Sequence, residues 1–254
     1  MKNYKTTSNC AQSDGERKGQ LTHEIKRSFL RNITILEGLP ASTLQEIAES
    51  ASMCQLKKRG VIYFPELQTQ NIYFLCKGHV KIVRLSPEGQ ETILEIIGPG
   101  DIFGELCLVE DMEFNEDNYV EIAEALDEVQ VLMVSCQKFL QILEHHPKLN
   151  IRIIRHVGLK LRKAEAKLES LVFKNAQQRV SEFICKFAEA FGKIKHRQVT
   201  VDKFLSQKEI AQLTGTSRQT VASILNNLRK KGIIDFTHQR LVILNLNWMQ
   251  QYFL

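Results

Sequence analysis

No stretch of this 254-residue chain is apolar over the length that a bilayer span requires. Residues 1–20 also lack the apolar segment of a secretory signal, so the expectation is a cytoplasmic protein with a flexible polar tail over residues 1–28. The six cysteines, at positions 10, 54, 76, 107, 136 and 185, lie far apart. Zinc ribbons, redox dithiols and iron–sulfur clusters use closely spaced pairs, so reduced buried thiols are expected and no metal site. A paired nucleophile and base, a phosphate loop and a metal-ligand spacing are all missing at motif strength, so the chain does not read as an enzyme. The adjacent His145 and His146 read instead as the cap of a helix end.

One absence is local. Residues 85–137 hold fourteen Asp and Glu but neither Lys nor Arg. Two like charges about 4 Å apart at an effective dielectric near 20 repel by roughly 4 kcal/mol, so an anionic ligand there needs a cation this stretch does not supply. Its densest part, residues 110–117, reads as a solvated acidic loop; it lacks the regular ligand spacing of a calcium site.

Positive charge gathers at the other end. From Lys174 to Leu254 there are thirteen Lys and Arg against five Asp and Glu, a net of +8, while the whole chain carries +5. That asymmetry is the electrostatic footprint of a polyanion binder. Within it, residues 205–232 read as two helices around a glycine turn. Ser206 and Glu209 form a Ser-x-x-Glu capping box, and Ile210, Ala211 and Leu213 supply apolar contacts. Gly215 can take the positive φ of the turn, and Ser217 caps the second helix. There Val221, Ile224, Leu225 and Leu228 recur at helical spacing as a buried stripe, leaving Arg218, Gln219, Ser223 and Asn226 to project elsewhere.

This is the pattern of a helix-turn-helix, whose second helix reads base edges from its first turns. Arginine pairs bidentately with guanine and glutamine with adenine. Arg218 and Gln219 are therefore the candidate readers, with Ser223 and Asn226 beside them; Ser206, Thr216, Ser217 and Thr220 are candidates for fixing the helix on the backbone. After Gly232, two apolar runs around Thr237-His-Gln predict a β-hairpin wing, which places His238 and Arg240 near phosphates. The competing reading is a ligand-binding or scaffold protein whose helix-turn-helix serves protein contact.

Upstream, a short amphipathic helix is expected over residues 39–52. Strands follow at 61–64, 72–75, 80–85 and 91–97, separated by Gly- and Pro-containing turns, the pattern of an antiparallel roll. A helical stretch from Cys136 to Phe173, interrupted near Pro147, carries Ile154, Val157, Leu161, Ala164, Leu168 and Leu171 alternately three and four residues apart. That is a coiled-coil seam, and two copies of it would pair into a homodimer; the competing reading is a helix packed on its own barrel.

The fold class expected is α+β, in four parts: the tail 1–28, a β-roll (jelly roll) sensory domain 29–137, a dimerisation helix 138–173 and a winged helix-turn-helix 174–254. This order resembles the family of the cyclic-AMP receptor protein and the fumarate-nitrate reductase regulator over residues 30–245. The marks are Gly98-Pro-Gly-Asp-Ile-Phe-Gly-Glu-Leu106, Leu171-Val-Phe173 and Thr214-Gly-Thr-Ser-Arg-Gln-Thr-Val221.

The resemblance implies a transcription regulator, dimeric on palindromic double-stranded DNA, with RNA polymerase as a partner and a small-molecule effector in the roll. Gly104 and Glu105 match the family's ribose-binding motif, but Asp117 and Asn118 stand where its phosphate-gripping Arg-Ser pair would be. Ala164 and Glu165 stand where relatives hold the base. Cyclic AMP is therefore not expected. Nor is an iron–sulfur cluster, since only Cys10 lies near the N-terminus, nor haem on the single roll histidine His79. Many relatives read DNA through an Arg-Glu pair and a later arginine; here Gln219 and Ser223 replace the last two, which implies a different half-site.

Overall fold

The computed structural model describes residues 19–63, 71–104, 120–196, 198–202 and 205–245. The chain divides into two compact units, Met1–Leu159 and Lys160–Leu254.

In the first unit, α1 (Gly19–Leu30), a 3-10 turn (Thr34–Leu36) and α2 (Ala41–Ser50) precede the strands. Helix α1 begins at Gly19, within the segment expected as a tail, and at its end Leu30 is fully buried and Phe29 packs on the core. Pro40 serves as the N-cap of α2, where its fixed φ and missing N–H are tolerated.

Eight strands follow: β1 (Ser52–Leu56), β2 (Val61–Tyr63), β3 (Asn71–Lys77), β4 (Val80–Leu85), β5 (Glu91–Ile97), β6 (Ile102–Phe103), β7 (Val120–Ala125) and β8 (Val129–Ser135). Among the described residues they form two antiparallel sheets, in the orders β1-β8-β3-β6 and β2-β7-β4-β5. Strand alternation explains the two cores. Tyr73, Leu75, Val129 and Val131 of one sheet meet Val80, Ile82, Ala123 and Ala125 of the other. From the opposite face of β3 and β8, Ile72, Phe74, Leu132 and Val134 pack on the helices.

Two further helices complete the unit's core, α3 (Cys136–His145) through Phe139 and Ile142, and the start of α4 (Pro147–Phe173) through Leu149 and Ile153. The helical stretch expected as a separate part from residue 138 thus contributes its first half to the roll. His145 Nδ1 lies 2.8 Å from the Gln141 carbonyl, and the His146 N–H donates to Leu143, so both histidines close α3.

In the second unit, α5 (Ala176–Phe191) is opened by a capping box between Asn175 and Gln178. The edge strand β9 (Lys193–Lys195) and β10 (Gln198–Asp202) lead to α6 (Gln207–Thr214) and α7 (Arg218–Lys230). A hairpin of β11 (Ile234–Phe236) and β12 (Arg240–Ile243) completes the antiparallel sheet β11-β12-β10-β9. Its core is made by Val180, Ile184, Ala188, Val199, Ile210, Leu225 and Ile234.

Candidate nucleic-acid interface

The helix-turn-helix is assembled from local rules. Ser206 accepts from the Glu209 N–H at 3.3 Å while the Glu209 carboxylate accepts from the Ser206 N–H at 2.9 Å, completing the capping box at the start of α6. The helix ends on Gly215 at φ 61°, in the left-handed region, and the Thr216 N–H bonds back to Ala211 at 3.0 Å. The left-handed backbone is what favours glycine there; a Cβ on Gly215 would stand 2.7 Å from Leu171 Cδ2, the end of a side chain that can turn aside. Thr214 is buried, its hydroxyl donating to the Ile210 carbonyl at 2.7 Å; Leu213, expected as a core contact, is only half-buried.

Ser217 caps α7 by accepting the Thr220 N–H at 3.0 Å, and the two hydroxyls lie 2.8 Å apart. The four expected core positions Val221, Ile224, Leu225 and Leu228 are all buried. Burial of that stripe sets the rotation of α7 about its axis, so Ser217, Arg218, Gln219, Ser223 and Asn226 are exposed and Thr216 and Thr220 partly so. Gln219, Ser223 and Asn226 recur at i, i+4 and i+7 and share one face, with Arg218 beside it in the first turn.

The hairpin β11–β12 turns through Thr237, whose hydroxyl accepts from the Gln239 and Arg240 N–H groups. Arg229 fastens the C-terminal end of α7 to this hairpin, pairing with Asp235 at 3.1 Å and lying 3.8 Å over the Phe236 ring. Arg240 pairs with Asp202 at 3.2 Å, and Asp202 also takes Lys193 at 3.2 Å. Hydrogen bonds from Lys193 and Arg240 hold the Asp202 carboxyl below its usual range. Arg240 is thus oriented by a clasp across β9, β10 and β12, whereas His238 is exposed at the tip.

Two residues here escaped the sequence reading, Asp202 and Arg179. The Arg179 guanidinium donates to the carbonyls of Lys174, Thr214 and Gly215. Its partners at the turn are 35 and 36 positions away, and no local pattern marks such a contact.

On α4, the seam residues Ile154, Val157, Leu161, Leu168 and Leu171 are exposed, from 43% at Leu171 to 70% at Ile154, and Ala164 is exposed with them.

In the roll, Gly104 has φ 81° and lies so close to its neighbours that a Cβ would stand 2.6 Å from the Asn71 carbonyl oxygen. Glu105, Asp117, Asn118 and the acidic 110–117 segment lie outside the described residues. The cations nearest that stretch in sequence are engaged by carboxylates. Lys81 pairs with Glu124 at 3.1 Å, with both side chains about 10% exposed. Arg84 pairs with Glu121 at 3.6 Å and Lys138 with Glu46 at 3.8 Å. These three cations are thus already engaged, and Tyr63, Tyr73 and Phe103 group their rings within 5.0–6.2 Å of one another beside the core of the roll.

His79 is a turn residue: its backbone N–H and its Nδ1 both meet the buried Asp127 carboxylate, at 2.8 and 3.0 Å. Among the described residues no cluster of three or more His, Cys, Asp and Glu is placed to hold a metal ion, and no helix is long and apolar enough to cross a membrane. Among the described residues Cys76 and Cys185 are free thiols, whereas Cys54 is disulfide-bonded, where a reduced thiol was expected.

Comparison with known proteins agrees with this architecture. The model of the cyclic nucleotide-binding domain matches residues 53–146, and that of the Crp-like helix-turn-helix domain matches residues 178–252. A CRP-like cAMP-activated global transcriptional regulator of Mycobacterium tuberculosis is 26% identical over 83% of this chain and 88% of its own length. The global nitrogen regulator of a Synechocystis species is 27% identical over 76% and 84%. The solved structure of a CRP-family transcriptional regulator from Thermus thermophilus has a TM-score of 0.63 at 25% identity, covering 78% of this chain and 95% of that one. With a cyclic nucleotide-binding-type roll, a long helix and a Crp-like helix-turn-helix in this order, the chain belongs to the Crp/Fnr family.

Proposed function

We infer that this chain is a sequence-specific DNA-binding transcription regulator that acts as a homodimer in the cytoplasm and carries out no catalysis. The observation that carries the reading is the fixed rotation of α7. Its apolar stripe is locked in the core while Arg218, Gln219, Ser223 and Asn226 face outward in a segment, residues 174–254, that bears a net +8. Arg218 and Gln219 read base edges, with Ser223 as a third contact and Asn226 one turn further on. Ser206, Thr216, Ser217, Thr220 and Arg240 meet the sugar–phosphate backbone and set register.

A second copy covers the exposed apolar seam of α4, and twofold symmetry then sets two recognition helices about one DNA turn apart. RNA polymerase is the partner this role requires. Any effector in the roll shifts the balance between two arrangements only through unequal affinity for them. The Mycobacterium relative is cAMP-activated; this chain carries Asp117 and Asn118 where the family's phosphate-gripping Arg-Ser pair would stand, so its effector belongs to another chemical class or is absent.

Salt titration of binding to a duplex tests the reading. Phosphate neutralisation releases counterions, so affinity for DNA falls linearly on a log–log plot, and a protein making six to ten phosphate contacts loses ~10³–10⁵ in affinity between 50 and 200 mM salt. Absence of that slope would leave the helix-turn-helix as a protein-contact element.

A further inference from the structure

Arg179, in the first turn of α5, holds three backbone carbonyls with one side chain. The Lys174 carbonyl accepts at 2.6 Å, the Thr214 carbonyl at 2.9 Å and the Gly215 carbonyl at 3.1 Å. Lys174 is the residue that follows the end of α4, and Thr214–Gly215 is the turn between α6 and α7. Carbonyls at a helix C-terminus have no intrahelical donor and carry the negative end of the helix dipole, so both segments attract a cation. A guanidinium presents its N–H groups in a rigid plane, and it satisfies all three acceptors only while the two segments keep one mutual position. A second contact links the same two segments, since Leu171 near the end of α4 lies directly against Gly215. Lys174 is itself tied down, its ammonium 2.7 Å from the Glu182 carboxylate.

We propose that Arg179 is a positioning residue for DNA recognition: it fixes the turn before α7 to the end of α4, and thereby sets where Arg218 and Gln219 point. A change in the course of α4 at its end is passed to the recognition helix through this fork. The proposal rests on the DNA-binding reading above and adds to it the residue that transmits orientation.

The experiment compares the full-length wild type with Arg179→Gln and Arg179→Lys. Each is titrated against the duplex that the wild type enriches from a random library, and against a random duplex at low salt, with folding checked by a thermal melt. Loss of charge-assisted bonds to the turn is expected to weaken binding to the enriched duplex by about tenfold or more. Binding to random duplex, which depends on net phosphate neutralisation, stays within about twofold. Arg179→Lys keeps the charge without the fork and does not restore the ratio. Amide exchange accelerates in both variants at residues 214–217, including Thr216. An unchanged ratio of specific to random binding, an equal loss of both, or full rescue by lysine would each overturn the proposal. Failure of the wild type to enrich any sequence would instead sink the DNA reading beneath it.

Discussion

Replacing Leu161 by alanine tests whether the α4 seam is an interface between two copies. Leu161 is 60% exposed in the single chain, and complete burial of a leucine side chain stabilises by ~1.5–3 kcal/mol. Covering the exposed part is therefore worth roughly 1–2 kcal/mol per copy and, because twofold symmetry uses the residue twice, roughly 2–4 kcal/mol per dimer. At about 1.4 kcal/mol per decade, the dimer dissociation constant rises roughly 30- to 1,000-fold. Leu159 is the matched control: it is 57% exposed but stands outside the three-four repeat, on the other side of the helix. Sedimentation across a dilution series reads both variants. Weakening confined to Leu161→Ala supports the seam; equal effects at the two positions, or none at Leu161, would refute the argument that the repeat marks the partnered face.

Three other outcomes follow from the geometry. Lys81→Met strands the buried Glu124 carboxylate and should destabilise the roll by ~3–5 kcal/mol, whereas Lys81→Met with Glu124→Leu should recover most of that in calorimetry. Gly215→Ala forces a left-handed backbone onto a residue with a Cβ, for a loss of ~1–2 kcal/mol, so the second unit's melting temperature should fall by roughly 4–15 °C. Burial pushes the Cys76 thiol up to about 12, and burial together with Glu189 and Glu182 does the same for Cys185. Both should resist alkylation at pH 8 until the protein unfolds. Because these thiols ionise near 9.0 once released, their contribution to stability is complete below that pH and is lost as the pH rises toward 12.

What could be read in advance was whatever chemistry is local. The Ser206–Glu209 box, the Ser217 cap and the four-residue stripe of α7 each lie within a few turns of helix, and each stands as expected. The paired strands β1 and β8 did not announce themselves. Ser52–Leu56 is too short and mixed to signal a strand, and it gains its order from Val129–Met133, more than seventy residues on. Helix α1 likewise owes its place to tertiary burial of Leu30 rather than to its composition. The same distinction runs through the candidate interface. Arg218 and Gln219 were legible because helical period alone exposes them. The Asp202 clasp that orients Arg240 and the Arg179 fork join elements brought together only by folding.

The central claim, that paired α7 helices read successive major grooves, is tested most directly by selecting bound duplexes from a random library with the wild type and with Arg218→Ala. The account predicts an inverted repeat with half-site centres about 10 bp apart for the wild type, and a loss of ~1–3 kcal/mol with relaxed preference at one base pair per half-site for the variant. No enriched repeat, or identical preferences for both proteins, would contradict it.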